Sequence, residues 1–406
     1  MIWPNRVVVT GCGIVSPLGM GVAPYWDGLK NGKSGIAPPS AALSALSPNQ
    51  PVAEVKDFDP LKHFGERELP ALDRVAQFAV VAAREALAQS GLDLSGPPSE
   101  RTAAIVGTGV GGAITVDDAY RRVYSDKAPR IHPLTIPRLM PNAPASQVSM
   151  HLGVRGPAFG IVSACSSATH AIGLAFQMVR AGIADAAITG GTEACLNFGT
   201  LKGWEALRVM APDTCRPFSR DRKGLIIGEG AGIIVIETLA GAAKRGAAIL
   251  GEVVGFGMTA DAADLTNPDL NGMSRAIAGC LADAGLTPDD VGYVNAHGTG
   301  TLANDSTETG ALKAALGERA RTVPISSTKS MVGHALGAAG ALEFVATLLA
   351  IRDGVIPPTI GYLGPDPACD LDYVPNVARQ ARFDVAISNS FAFGGLNAVL
   401  ALRRPA

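Results

Sequence analysis

The sequence repeats its own plan approximately, and this repeat limits the folds open to the chain. Residues 6–13 and 250–257 each read as a buried strand that runs into a glycine turn. A helix of similar pattern follows each strand, at 83–92 and 277–286, and each helix ends at a glycine stop. We therefore expect two halves built alike, at 1–249 and 250–406.

Each half continues with the same succession of elements. A buried strand ends in a glycine-rich loop at 103–109 and again at 292–298, and a long helix of small residues follows at 166–182 and at 337–352. Two strands close each half, at 186–191 and 231–237 in the first and at 385–389 and 398–402 in the second. Apolar strands that alternate with amphipathic helices predict an α/β fold, in which two pseudo-repeated halves stack mixed sheets around central helices.

An insertion at about 111–150 makes the first half longer. It contains Pro133, Pro137, Pro141 and Pro144. Because proline interrupts helices and strands, we expect a segment that wraps around the first half and forms no regular layer. Such a segment suits a pocket cap or a subunit contact.

The composition narrows the function classes. The formal net charge of the 406 residues is -2, and the six cysteines form no C-x-x-C pair. A net charge so close to zero gives no general attraction to nucleic acid or to an anionic membrane. The cysteine spacing indicates neither zinc binding nor a disulfide framework. The first residues read as a strand rather than a signal peptide, and no apolar run reaches membrane-spanning length. We predict a cytoplasmic protein that binds neither nucleic acid nor membrane.

One cysteine stands where a reactive thiol is expected. Cys165 follows the apolar run 158–162 and opens a helix of small residues. The unpaired N–H groups and positive dipole end at a helix start favour the thiolate. His297 and His334 each lie beside glycines later in the chain. A lone cysteine is most often a core residue, but this trio indicates nucleophilic catalysis.

Several further motifs occur in a fixed order along the chain. They are the opening strand with Gly-x-Gly, Ala-Cys-Ser-Ser at 164–167, and the segments 216–224, 228–232, 297–301, 328–334 and 389–397. From end to end, they resemble the β-ketoacyl-[acyl carrier protein] synthases of the thiolase-like superfamily, and in particular the elongating type II enzymes. The resemblance implies a thiolase-like fold, with acyl carrier protein as the partner and no cofactor.

The resemblance also assigns roles to the trio. Cys165 would hold the acyl chain as a thioester, and its N–H would form the oxyanion hole with the N–H of Phe393. His297 and His334 would stabilise the enolate that forms when malonyl thioester loses carbon dioxide. Related enzymes that prime the pathway carry one histidine and one asparagine at these positions. Two histidines therefore favour elongation of carrier-bound chains.

Supporting residues follow from the same resemblance. Lys329 and Glu343 would form a charged pair that orients His334. Phe391 and Phe393 would flank the acyl entrance, with Phe393 as the gate. Ala392 and Leu396 depart from the usual glycine and threonine, which affects loop flexibility and chain-length preference.

The resemblance further implies two protein contacts. A symmetric homodimer would pair the strand 159–163 edge to edge with its copy. The acidic carrier protein would dock on a local basic cluster, since the chain as a whole is near neutral. The residues of this basic cluster are Lys62, Arg67, Lys127, Arg130 and Arg208.

Other functions fit the sequence less well. The Gly-x-Gly-x-x-Gly match at 107–112 would suit an NAD-dependent oxidoreductase, but a proline-rich segment follows in place of the required helix. A degradative thiolase would need a second cysteine near 394–397, and a non-catalytic chain-length partner would lack Cys165. A specialised ketosynthase of a nodulation-type lipid signal or a polyketide pathway stays open.

A metal is not assigned. Asn295, Glu343 and Asn389 supply oxygen donors that could frame a small cation, as in some relatives of the resembled family. Three scattered donors are weak support for a metal site.

Overall fold

A computed structural model of the chain describes residues 4–44 and 50–405. The strands of the described residues are β1 (Val7–Ser16), β2 (Gly19–Met20), β3 (Thr102–Gly107), β4 (Ala158–Ile161), β5 (Ala186–Glu193), β6 (Gly230–Thr238), β7 (Gly251–Ala260), β8 (Tyr293–Asn295), β9 (Ile325–Ser326), β10 (Val355–Ile356), β11 (Arg379–Gln380), β12 (Val385–Ala392) and β13 (Leu396–Arg403).

The helices complete this inventory. They are α1 (Val22–Lys30), α2 (Ala41–Ser44), α3 (Arg74–Ser90), α4 (Ala113–Tyr124), α5 (Thr135–Leu139), α6 (Ala143–Leu152), α7 (Ser167–Arg180), α8 (Phe198–Ala206), α9 (Leu239–Lys244), α10 (Leu270–Ala284), α11 (Leu302–Leu316), α12 (Lys329–Val332) and α13 (Ala339–Asp353). Short 3-10 turns lie at Pro60–Lys62, Leu69–Ala71, Pro97–Arg101, Ala164–Ser166, Pro288–Asp290, Gly317–Arg321 and Leu336–Ala338.

The two halves form sheets with the same topology. Eleven of the strands form one sheet that divides at the β1–β7 pairing into two parts. The part that we call the first sheet runs in the order β4-β3-β5-β6-β1, and the part that we call the second runs in the order β9-β8-β12-β13-β7. Read in this direction, each sheet has two parallel pairings followed by two antiparallel ones. The repeat seen in the sequence is therefore a repeat of the fold. The predicted division between residues 249 and 250 lies between α9 and β7, and it stays a prediction.

Two central helices join the halves. α7 packs on β3 and β5 of the first sheet and also on β7 and β13 of the second, and α13 likewise contacts both sheets. Every residue of α13 from Ala339 to Ile351 is buried, as expected of a helix that is enclosed on all sides. The edge strands β1 and β7 also pair over three residues, so hydrogen bonds link the two sheets. The predicted α/β class, with mixed sheets around central helices, is confirmed.

The glycine turns predicted at the start of each half are wrong. β1 continues through Gly11 and Gly13 to Ser16. A Cβ atom on Gly11 would lie 2.1 Å from the carbonyl oxygen of Ala86, and one on Gly13 would lie 2.0 Å from that of Ala82. The glycines therefore let α3 approach the strand closely, and β7 uses Gly257 against α10 in the same way.

The insertion at 111–150 is also more regular than expected. It forms α4, α5 and most of α6, and α6 packs on α3 and β3 as part of the layer that covers the first sheet. Pro144 stands in the first turn of α6, where its missing N–H costs no helical hydrogen bond. No helix in the described part of the chain is long and apolar enough to cross a membrane.

Candidate active site

Cys165 lies in a tight turn between the two halves. The 3-10 turn Ala164–Ser166 directly precedes α7, and Ala164 adopts a left-handed φ of 51°, which is unusual for a residue with a Cβ atom. The Ser166 hydroxyl donates to the carbonyl oxygens of Ser390 (3.0 Å) and Leu396 (2.7 Å). The nucleophile turn of the first half is thus fixed to the β12–β13 hairpin of the second.

The thiol of Cys165 is buried, and this opposes its ionisation. Burial raises the pKa of Cys165 to about 12, although the charge of Lys329 and a hydrogen bond with the backbone N–H of Phe393 act in the opposite direction. The helix start favours the thiolate, as the sequence indicated, but burial acts in the opposite direction. A thiol that is protonated at rest would lose its proton as the sulfur attacks its substrate.

Lys329 fixes the tautomer of His297 through a hydrogen bond. Its ammonium lies 3.2 Å from Nδ1 of His297 and donates to the carbonyl oxygen of the same residue at 2.6 Å. An ammonium group has only donors, so Nδ1 accepts and the imidazole proton sits on Nε2. Glu343 forms a buried ion pair with Lys329. The predicted pair therefore exists, but it positions His297 and not His334.

The rings of the two histidines pack edge to face. Their centroids lie 5.3 Å apart with an interplanar angle of 83°. Burial, and then the charge of Lys329, lowers the pKa of both residues well below the ordinary value. The main chain of His334 is held by Ile226 and Gly228 (2.7 and 2.9 Å). Neutral imidazoles can donate an N–H to a developing oxyanion without first losing a proton.

One pocket brings the predicted catalytic residues together. Cys165, His297, His334, Phe391 and Phe393 all line it. Lys329 and Glu343 are buried, with side chains only 1% and 2% exposed. The five residues of the basic cluster are exposed and do not line this pocket.

Glu308 is a site residue that the sequence reasoning missed. Its buried carboxylate accepts from the backbone N–H groups of His297 and Gly298 (2.8 Å each) and from the side chain of Asn389 (3.2 Å). This carboxylate fixes the loop that carries His297. The sequence around Glu308 on α11 does not indicate this role, because the groups that donate to its carboxylate belong to other elements.

Glu193 bridges the two halves and was also missed. Its carboxylate accepts from the backbone N–H groups of Gly109 (2.6 Å) and Gly337 (2.9 Å) and from the Thr108 hydroxyl (3.0 Å). Burial raises the pKa of Glu193 to about 7. This buried carboxylate fills the Gly-x-Gly-x-x-Gly loop that a dinucleotide phosphate would need.

One reason given against a dinucleotide site was nevertheless wrong. The helix α4 begins directly after Gly112, where the sequence predicted a proline-rich segment. The requirement of a helix after the glycines is therefore met. The loop is unsuitable because Glu193 already accepts its N–H groups.

Each of the three residues considered for a cation has an oxygen whose lone pairs accept no hydrogen bond from the described residues. Asn295 Oδ1, Asn389 Oδ1 and Glu343 Oε2 are buried without a hydrogen-bond partner within the described ranges. No group of three or more His, Cys, Asp or Glu residues that could hold a metal occurs in the same ranges. We assign no metal to these oxygens.

Comparison with known families identifies the chain. The family model described as "Beta-ketoacyl synthase, N-terminal domain" matches residues 4–242, and the one described as "Beta-ketoacyl synthase, C-terminal domain" matches residues 250–363. The chain belongs to the β-ketoacyl synthase family. The prediction of a thiolase-like condensing enzyme is thereby confirmed.

Individual relatives of this synthase cover nearly its whole length. "Nodulation protein E" of Rhizobium sp. (strain N33) is 48% identical over 401 residues, which are 98% of this chain and 99% of the relative. "3-oxoacyl-[acyl-carrier-protein] synthase 2" of Synechocystis sp. is 43% identical over 409 residues, with 98% of each chain covered.

A solved structure shows the same fold as this synthase. It is described as "AntDE:AntF (apo): type II PKS acyl-carrier protein in complex with its ketosynthase bound to the hexaketide". Its matched chain is 33% identical, with a TM-score of 0.88 over 99% of this synthase and 100% of that chain.

Proposed function

We propose that this synthase elongates carrier-bound acyl chains by decarboxylative condensation. The observation that carries the proposal is the pocket that a buried cysteine and two packed histidine rings line together. Acyl transfer requires a nucleophile that is also a leaving group, and a cysteine sulfur is both. Decarboxylation requires hydrogen-bond donors for an enolate, and two neutral imidazoles supply them.

The first step loads the acyl chain onto Cys165. Its sulfur bonds to the acyl carbonyl carbon, the bond from that carbon to the carrier's pantetheine sulfur breaks, and the thiol proton passes to the departing thiol. The backbone N–H of Phe393, which reaches the Cys165 sulfur, is placed to donate to the oxyanion that forms. Since burial opposes ionisation of the thiol, transfer of its proton is part of this step.

The second step uses the histidines. Malonyl thioester loses carbon dioxide, and the electron pair of the broken carbon–carbon bond forms an enolate whose oxygen accepts from His297 and His334. The enolate carbon then bonds to the acyl carbonyl carbon as the bond from that carbon to the Cys165 sulfur breaks, and the sulfur takes a proton from solvent, which restores the thiol. The product is a 3-oxoacyl chain, longer by two carbons, on the carrier. Analysis of this product by mass spectrometry tests the overall reaction.

The proposed partner is acyl carrier protein, and the basic cluster is the proposed docking surface. Lys62, Arg67, Lys127, Arg130 and Arg208 are exposed, and none forms an ion pair with another described residue. Arg208 directly follows Leu207, which lines the pocket. Free positive charge near the pocket suits an acidic carrier.

Reversal of charge at this surface is expected to slow carrier-bound substrates selectively. For the double variant Arg130→Glu and Arg208→Glu, we expect kcat/KM with acyl carrier protein to fall by about tenfold or more at low salt, because rim charges act mainly on encounter rate. Activity with small-molecule thioesters should be unchanged. Lys244→Glu, at the exposed end of α9, is the matched control. Equal losses with both substrate types would contradict docking at these arginines.

The proposed assembly is a symmetric homodimer through β4. This strand lies at the edge of the sheet and ends at Ile161, two residues before the predicted end. Phe159 within it and Val162 directly after it are 37% and 54% exposed. An uncovered apolar edge strand is an aggregation hazard that pairing with a copy removes. We expect sedimentation at micromolar concentration to show a dimer and Val162→Asp to shift it toward monomer. A wild-type chain that sediments only as a monomer would contradict the proposal.

The second candidate function is that of a specialised ketosynthase, which would carry out the same condensation in a nodulation-type lipid or polyketide pathway. Relatives named "Nodulation protein E" are 47–48% identical to this chain, whereas those named "3-oxoacyl-[acyl-carrier-protein] synthase 2" are 42–43% identical. Assays with saturated and unsaturated carrier-bound primers separate the two candidates. A cytoplasmic location stays a prediction from the sequence.

A further inference from the structure

An indole that the sequence analysis did not single out stacks on the predicted gate. Trp204 lies on α8, and its ring centroid is 5.8 Å from that of Phe393 with an interplanar angle of 24°. Both side chains are half-buried and line the pocket with Cys165. The stack therefore forms part of the wall of the pocket that contains the sulfur.

The gate loop is anchored through its backbone. Phe393, Gly394 and Gly395 form the loop between β12 and β13, and the two glycines have left-handed φ angles of 80° and 66°. Gly394 donates to the carbonyl oxygen of Leu265 (2.7 Å), and the Asp261 N–H donates to that of Gly395 (3.0 Å). These bonds hold the two glycines. The Phe393 ring gains its own restraint from Trp204.

The two departures from the usual motif fill the space around this loop. Ala392 belongs to the same apolar cluster as Cys165, and Leu396 and Trp204 pack against that cluster. Each departure places a larger apolar group beside the loop than the glycine or polar threonine of the usual pattern. Additional packing favours the observed loop position over alternatives.

We propose that Trp204 is a positioning residue that holds the Phe393 gate closed over Cys165. This inference rests on the proposed function, since a gate matters only if acyl chains load onto Cys165. An aromatic pair of this kind is expected to favour the closed over the open gate by about two- to tenfold. A gate that opens before entry slows every acyl chain by the same factor, whereas a pocket wall discriminates between chains.

The test compares Trp204→Ala, Trp204→Phe and the control Phe198→Ala, which removes an exposed ring from the same helix. Acyl carrier proteins loaded with short, medium and long saturated chains are the probes. In single-turnover mass spectrometry, Trp204→Ala should acylate Cys165 about two- to tenfold faster with every chain, in proportion to the lost aromatic pair. It should also hydrolyse the acyl-enzyme faster, because an open gate admits water. Trp204→Phe keeps a stacking ring and should stay near wild type.

Several outcomes would overturn the proposal. Acylation of Trp204→Ala at the wild-type rate, or an acceleration confined to one chain length, overturns the gate and leaves the proposed function standing. A wild-type chain that takes no acyl group overturns both. If Trp204→Ala does not fold, the tryptophan fluorescence of the wild type and of Trp204→Phe tests the proposal instead. Acylation should change wild-type emission and leave that of Trp204→Phe unchanged, and equal responses overturn the gate.

Discussion

Replacing Cys165 with alanine is expected to abolish acyl transfer and, with it, chain elongation. The acyl group would have no sulfur to bond to, and a buried alanine offers no alternative nucleophile. Loss of a covalent nucleophile lowers turnover by on the order of 10⁴- to 10⁶-fold. Chromatographic detection of the 3-oxoacyl product from acyl- and malonyl-carrier protein measures the effect.

Cys195→Ala is the matched control for this loss. Cys195 is a fully buried free cysteine in the same apolar cluster as Cys165. Its thiol lies 3.8 Å from the carbonyl oxygen of Gly228, and we assign it no chemical role. Elongation should persist in this variant. Comparable losses in both variants would mean that the cluster needs sulfur for packing and that Cys165 is not the nucleophile.

Removing either pocket histidine is expected to separate the two steps of the reaction. For His297→Ala and for His334→Ala, malonyl decarboxylation should fall by about 10²- to 10³-fold, because each variant removes one donor to the enolate oxygen. Acylation of Cys165 should remain detectable, since the Phe393 N–H is intact. Release of carbon dioxide from malonyl-carrier protein and the mass of the acylated chain report the two steps separately.

His334→Asn supplies the control for the histidines. Asparagine keeps a neutral N–H donor but lacks an imidazole base, so it should retain more decarboxylation than alanine if donation is the role. The pH profile provides a second check. Because burial lowers the pKa of both histidines, they remain neutral as pH falls through about 6.5, the ordinary histidine value. A loss of decarboxylation centred at that value in the wild type but absent from His334→Asn would contradict donation by a neutral imidazole at His334, because carboxylates that titrate in the same range would affect both chains alike.

The sequence predicted the parts of the site that carry local signals. Cys165 follows an apolar run and opens a helix pattern, and His297 and His334 stand in glycine-rich loops, so their motifs are readable without the fold. The structure then brings all three to one pocket. The paired halves were also predictable, because the strand and helix periodicities repeat.

The remaining features depend on contacts between distant segments. Lys329 meets His297 and not His334 because of how the two loops pack, although His334 is nearer in sequence. The sequence around Gly11 is typical of a turn, but Gly11 lies within β1. A residue without a Cβ atom is needed there because α3 packs closely against the strand. Burial also outweighed the charge of Lys329 and the Phe393 N–H in setting the pKa of Cys165. Each of these outcomes follows from tertiary packing that no short motif encodes.

The most direct test of the account is the mass of the chain after incubation with acyl carrier protein, followed by peptide mapping. We expect a single acyl group on the wild-type chain, on the peptide that contains Cys165, and no acyl group on the Cys165→Ala chain. An acyl adduct on the Cys165→Ala chain, or one mapped to another cysteine of the wild type, would contradict the assignment of Cys165 as the nucleophile.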